Sequence, residues 1–250
     1  MQFKDKVAIV TGGSRDIGRA ISLKLAAAGA KVVVNYMNNA EAAAETLKAI
    51  EAEGGTAITV KADMTNAAAV QQLVTAAQEA FGEKVDILVN VTGGMVARKT
   101  LEEMDEAFFD QVVALNLKSV FLACKHIVPL MSKGGTIVNL ASQAGRDGGG
   151  PGASVYATAK GAVITYTRSL AKELGPKGIR VNAVTPGMIA TTFHDVFTKP
   201  EVRANVAGGT PLRREGRAEE VADLVAYLAS NQASFINGVN VDINGGTLFS

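Results

Sequence analysis

Apolar positions along the chain gather in short β-branched runs: VAIV at 7–10, KVVVN at 31–35, TAITV at 56–60, DILVN at 86–90, TIVNL at 136–140, IRVNAV at 179–184 and GVNVDI at 238–243. Alanine-rich or amphipathic stretches of helical length fill most of the gaps. Uniformly apolar strands are buried on both faces, and strands that alternate with helices run parallel. The pattern predicts a doubly wound α/β fold with a mainly parallel seven-stranded sheet and helices on both faces. No composition break, linker or fixed-period repeat divides residues 1–250, so one domain is expected. Ligands of such sheets bind beyond the carboxyl ends of the strands. Loops at about 93–100, 143–155 and 187–216, after strands four, five and six, are therefore the candidate substrate loops.

Composition narrows the partners. The chain is 48% hydrophobic and 20% charged with a formal net charge of +1, and it carries no long basic or acidic block. That balance predicts no nucleic-acid footprint and no polybasic membrane anchor. No apolar run approaches the roughly 18 residues needed to span a bilayer. The single cysteine, Cys124, cannot form an internal disulfide, and the start MQFKDKVAIV lacks a secretion-signal pattern. A cytoplasmic, reduced protein is the expectation.

The stretch TGGSRDIG, residues 11–18, leaves the first strand and enters a helical stretch. Such a turn presents backbone N–H groups and a helix dipole to a pyrophosphate, as in a Rossmann-type domain. Gly12 suits the tight turn and Gly18 the close approach of helix to strand. Ser14, Arg15, Asp16 and Ile17 complete the loop. Asp16 stands about where the helix N-cap falls, and aspartate tolerates positive φ. Bonded to the first N–H groups, its carboxylate would compete with phosphate. The expectation is a side chain turned aside, toward Arg15 or Arg19. The bland alternative is a strand-to-helix loop with an aspartate cap.

Tyr156 and Lys160 are one helical turn apart and share a face. An ammonium about 4 Å from a phenol is worth roughly 4 kcal/mol at an effective dielectric near 20, enough to move a phenol pKa from about 10 toward 7. Such a tyrosine exchanges a proton near neutral pH, as carbonyl reduction requires. Ser142 ends the fifth strand, where its hydroxyl could hold a carbonyl oxygen beside the phenol.

Together, TGGSRDIGRA, YATAK (156–160) and VNAVTPG (181–187) resemble the short-chain dehydrogenase/reductase family over essentially the whole chain. The family turn T-G-x-x-x-G-x-G is broken at Asp16, and the usual N-N-A-G appears here as NVTG at 90–93. The resemblance implies an NADH- or NADPH-dependent oxidoreductase with a tetrad of Asn116, Ser142, Tyr156 and Lys160, Asn116 acting through a water chain behind the lysine. It also implies that Asp63 and Met64 meet adenine, and that Asn90 and Gly93 line the adenosine side. Thr185, Pro186 and Gly187 would lie against the nicotinamide, with Ile189 nearby, and Lys160 would reach the nicotinamide ribose. Strand two ends in Asn35 and Tyr36 with no carboxylate to select NAD, while Arg15 could pair with a 2′-phosphate and Asp16 could weaken that attraction. The preference stays open.

The substrate is expected to be a small carbonyl or alcohol. Gln143, Arg146, Gly150 and His194, with Arg98 and Lys99, offer donors and cations that suit a hydroxylated, anionic ligand. Within the family, RDGGGPGASVYA and TTFHDVFTKP look similar to reductases of keto sugar acids such as 4-deoxy-5-hexoseulose uronate. The alternatives are a 3-oxoacyl-carrier-protein reductase, with Lys133 and Lys172 as candidates for a basic docking surface, and a non-catalytic dinucleotide-binding sensor. Family members usually assemble through the helices expected at about 105–131 and 155–174, which implies a homotetramer.

Overall fold

The computed structural model describes residues 2–249; Met1 and Ser250 lie outside the description. All seven expected strands form: β1 (Val7–Thr11), β2 (Lys31–Tyr36), β3 (Thr56–Lys61), β4 (Val85–Asn90), β5 (Met131–Leu140), β6 (Arg180–Pro186) and β7 (Asn240–Ile243). They join one sheet in the order β3-β2-β1-β4-β5-β6-β7, and every pairing is parallel. The chain runs outward from β1 to β3, then returns to the other side of β1 with β4. That reversal opens a crevice at the carboxyl ends of β1 and β4, where Thr11 lies opposite Asn90.

Side-chain alternation along the buried strands feeds two separate cores. Ile9, Val33, Leu88, Ile137 and Val181 point to one face, where they meet α3 (Ala67–Phe81), α5 (Ser119–Ile127) and α7 (Ser154–Leu174). Ala8, Val10, Val32, Val89 and Val184 point to the other, under α1 (Asp16–Ala27), part of α2 (Ala40–Ala52) and α10 (Ala218–Ala229). With both faces covered, a strand needs no polar side, which is why the runs read as continuous hydrophobes. Each fully buried Leu, Ile or Val contributes roughly 1.5–3 kcal/mol relative to exposure.

Two expectations change. β5 starts at Met131, earlier than the run at 136, because a register shift between Val85 and Ile87 lets Met131 pair with Val85. The expected helix at 105–131 is a composite of α4 (Glu106–Val113), a π-helical turn at Ala114–Lys118, α5 and a short 3-10 turn at Val128–Leu130. This 25-residue span, Glu106–Leu130, is long and apolar enough to cross a bilayer by length and composition, contrary to the reading of the bare sequence. Part of its apolar surface serves the core, Val120, Ala123, Cys124 and Ile127 being buried against the sheet and α3, while Phe109 and Phe121 are exposed.

Three short helices complete the carboxyl-end rim: α6 (Ala144–Asp147), α8 (Thr192–Phe197) and α9 (Pro200–Gly209).

Candidate active site

The glycine turn after β1 is shaped for an anion. Gly12 has φ of +61°, and a Cβ on Gly18 would stand 2.0 Å from the Gly12 carbonyl oxygen, so the turn closes only with glycine at 18. Asn35 fixes the turn from β2. Its Oδ1 accepts from the Gly12 N–H at 3.0 Å, while its Nδ2 donates to the Val60 and Ala62 carbonyls at 3.3 and 3.1 Å. Asn35 thus lines the cleft as a brace whose polar atoms are already engaged.

Asp16 adopts φ of +50°, as its residue type allows. The cap position falls one residue earlier than expected, on Arg15, which makes no side-chain cap bond. The Asp16 carboxylate is turned away from the first N–H groups of α1, but its main partner is neither arginine. It accepts from the Thr192 N–H at 3.0 Å and from the Thr192 hydroxyl. Arg15 Nε lies at 3.9 Å, and Arg19 pairs with Glu45. The first residue of α8 offers a helix-end N–H and a hydroxyl together, two directed donors that the solvated guanidinium does not match.

Across the crevice, Tyr156 and Lys160 share one face of α7, and Ser142 follows β5. The Ser142 oxygen accepts from the Ala144 N–H at 3.2 Å, and Ser142 and Tyr156 both line the same cleft, where the serine side chain opposes the rise of the phenol pKa. Lys160 is 4% exposed; its Nζ donates to the Leu140 carbonyl at 2.8 Å and lies 6.0 Å from the Tyr156 ring centre. Burial pulls Lys160 down to about 8 and pushes Tyr156 above its ordinary value, opposed only by the Ser142 hydrogen bond. The simple picture of an ammonium lowering the phenol pKa is therefore corrected for the free protein. Desolvation of both groups dominates, and Lys160 is held on a carbonyl.

Asn116 lies in the π-helical turn, a local widening that recurs at functional sites. Its Nδ2 donates to Gly94 O at 2.8 Å and Val112 O at 2.9 Å, and its Oδ1 accepts from Gly94 N at 3.0 Å. The asparagine clamps the loop after β4 against the helix, with Gly93 packed between Asn116 and Lys160.

A cleft of about 900 Å³ runs along these carboxyl ends. It is lined by the turn residues Gly12 and Ser14 to Gly18, by Asn35, Tyr36, Asp63, Met64 and Gly93, and by Ser142, Tyr156, Lys160, Pro186, Gly187 and Ile189. Asn90 does not line it. Its Nδ2 donates to Asn139 Oδ1 at 2.8 Å inside the sheet, so the β4 position expected on the adenosine side is a buried brace. Thr185 is likewise fully buried, and Asp63 folds its carboxylate onto the Thr65 N–H and hydroxyl at 2.8 and 2.7 Å.

The residues expected to greet an anionic substrate are mostly engaged. Gln143, Gly150 and His194 line the cleft, but Arg146 does not; it is ion-paired with Asp242. Arg98 donates to the carbonyls of Phe197 and Pro151, both at 2.9 Å, and Lys99 sits over the Phe108 ring. His194 bonds Thr198 through Nδ1, and burial, then Arg203, lower its pKa. The wall that sequence reasoning missed is apolar: Phe193, Val196, Phe197, Met95, Val96 and Leu115. Phe193 lies 5.9 Å from the Tyr156 ring and 5.1 Å from Phe197. The spacing of Phe193 and Phe197 on a short helix was the available signal.

Fold and cleft together define a doubly wound dinucleotide-binding protein whose site can pass a proton beside a bound nucleotide. The family model described as enoyl-(acyl carrier protein) reductase matches residues 12–247. A 3-oxoacyl-[acyl-carrier-protein] reductase of Synechocystis is 41% identical, over 96% of each chain. Among solved structures, a short-chain dehydrogenase of Burkholderia cenocepacia in complex with NADP shares 36% identity at TM-score 0.91, over 98% of this chain and 99% of that one. An NADH-dependent reductase A1-R′ responsible for alginate metabolism shares 32% at TM-score 0.90, over 99% of both chains. The chain belongs to the short-chain dehydrogenase/reductase family and is an NAD(P)-dependent oxidoreductase.

Proposed function

We propose that the protein reduces a ketone or aldehyde with an apolar body, using NADPH, with Tyr156 as the proton donor. The observation that carries this reading is the convergence of Ser142, Tyr156 and Lys160 on one cleft, with the Phe193 ring 5.9 Å from the Tyr156 ring. The residues fit the dinucleotide: the turn of Gly12 and Gly18 leaves the start of α1 clear because the Asp16 carboxylate faces Thr192. The reduced nicotinamide supplies the hydride. Ser142 holds the carbonyl oxygen, and Tyr156 delivers its proton there as negative charge develops. Lys160 would hold the nicotinamide ribose, and Asn116 holds the loop that shapes the lysine's surroundings.

NADPH is favoured over NADH because β2 ends in Tyr36, followed by Met37 and Asn38, without a carboxylate, while the Arg15 side chain is 67% exposed beside the cleft. The Burkholderia relative with bound NADP supports the same preference. The wall of Phe193, Phe197 and Val196 favours an acyl or aryl group next to the carbonyl. A keto sugar acid is the second reading, supported by the likeness to the alginate-metabolism reductase; the pairing of Arg146 with Asp242 speaks against it. A homotetramer fits the exposed Leu101, Phe109 and Phe121 around α4 and α5.

The test is NADPH and NADH oxidation against aryl ketones and vicinal diketones, an acetoacetyl thioester, and a uronate-derived keto acid. Turnover of the apolar ketones with NADPH supports the reading. Saturation by the keto acid with the apolar ketones inert overturns the substrate assignment, and no turnover with any carbonyl overturns the reaction.

A further inference from the structure

Helix α8 has six residues and buries none of them, yet it carries the ring that faces the Tyr156 phenol. A helix so short does not hold itself in place. Charged side chains from distant segments tie it at both ends. At its start, Asp16 of the glycine turn takes the Thr192 N–H at 3.0 Å and the Thr192 hydroxyl. At its end, Arg98 of the loop after β4 donates from Nε to the Phe197 carbonyl at 2.9 Å, and from a second nitrogen to Pro151. In between, Asp195 is ion-paired with Arg203, which also holds Glu215.

We propose that Asp16 and Arg98 are positioning residues that pin α8 across the cleft and hold Phe193 against Tyr156. The glycine turn and the substrate wall then form one mechanical unit. A carboxylate in a phosphate-binding turn acquires a purpose: both its oxygens are committed to the flap, and it leaves the first N–H groups of α1 to the nucleotide. The tethering stands on the contacts alone. Its effect on carbonyl turnover rests on the function proposed above.

Asp16 has positive φ, so its replacements must accept that conformation, and glycine and asparagine do. Amide exchange is followed by mass spectrometry on the cofactor-free protein for wild type, Asp16→Gly, Asp16→Asn and Arg98→Lys. In Asp16→Gly, exchange across 191–198 is expected to accelerate at least tenfold while 11–18 changes by less than threefold. Asp16→Asn keeps an acceptor for the Thr192 N–H and is expected to restore most of the protection. Arg98→Lys, which loses the fork that bridges Phe197 and Pro151, is expected to accelerate the same segment. Exchange at 191–198 that stays at the wild-type rate in Asp16→Gly overturns the proposal. So does an increase at 11–18 as large as at 191–198, because Asp16 would then serve only its own turn. In turnover, Asp16→Gly is expected to raise the carbonyl KM at least fivefold and the dissociation constant for NADPH by less. Exchange reads the tether without any substrate, so failure of the substrate assignment and failure of the tether are separable.

Discussion

Asn116 and Lys160 converge on one glycine: a Cβ built on Gly93 would lie 2.8 Å from Asn116 Oδ1 and 2.8 Å from Lys160 Nζ. Neither side chain is free to withdraw. Asn116 is bonded to Gly94 and Val112, and Lys160 to Leu140. The helix carrying the asparagine, the loop after β4 and the helix carrying the lysine are thus set by contact through a position with no side chain.

Gly93→Ala is accordingly expected to displace the Lys160 ammonium while the sheet and both cores persist. We expect kcat/KM to fall about 10- to 100-fold, which corresponds to roughly 1.4–2.8 kcal/mol of transition-state stabilisation. Steady-state kinetics beside a thermal melt check this. An unchanged kcat/KM would mean that the lysine's placement tolerates the extra methyl group.

Tyr156→Phe removes the hydroxyl and keeps the ring that packs on Phe193. Turnover is expected to drop about 10³-fold, the usual scale for loss of a positioned acid. NADPH binding, measured by the change in its fluorescence, is expected to stay within threefold of wild type. Retained turnover would place the proton source elsewhere.

The inner strands were legible because each is an apolar, largely β-branched run whose two faces meet helices; the edge strand β7 shows instead as an alternation, with Val241 and Ile243 packed on one core. Tyr156 and Lys160 were legible through a spacing that a helix turns into proximity. The contacts that sequence could not supply join residues far apart in the chain. Asp16 finds Thr192 and Arg146 finds Asp242 only after the sheet has assembled, and no local periodicity encodes either pair. The π-helical turn at Asn116 is another such case: nothing in ALNLK marks the widening, and the Asn116 side-chain bond to Gly94 joins residues 22 positions apart. The phenol pKa was misread for the same reason, since the desolvation that dominates it depends on tertiary burial.

Burial of Lys160 leaves a signature in stability against pH. Its pKa in the folded protein is about 8, below the ordinary lysine value. Below pH 8 the lysine is protonated in both states, and the folded state carries the full cost of burying the charge. Between about 8 and 10.5 the unfolded chain binds more protons than the folded one, so this group's contribution to stability rises with pH. Lys160→Met removes the titration. The stability of wild type relative to the variant is expected to increase by on the order of 2 kcal/mol from pH 7.5 to 10.5. Urea unfolding at a series of pH values measures it, and a flat difference would mean that the lysine is solvated in the folded state.

The NADPH preference proposed above rests on Arg15. Its side chain is exposed at the cleft mouth, with Asp16 at 3.9 Å and the Thr192 hydroxyl at 3.5 Å as its polar contacts among the described residues. The Asp16 carboxylate is directed at Thr192, so it neutralises the guanidinium weakly, and β2 ends without an acid to repel a 2′-phosphate. Arg15→Ala is therefore expected to raise the KM for NADPH about tenfold, a scale set by one charge-assisted hydrogen bond at a solvated site. The KM for NADH, which lacks the phosphate, is expected to move less than twofold. The NADPH effect should also shrink as ionic strength rises, because an exposed ion pair is screened. Equal changes for both cofactors would show that Arg15 acts on the shared pyrophosphate, and the preference would then have to come from Tyr36 and Asn38.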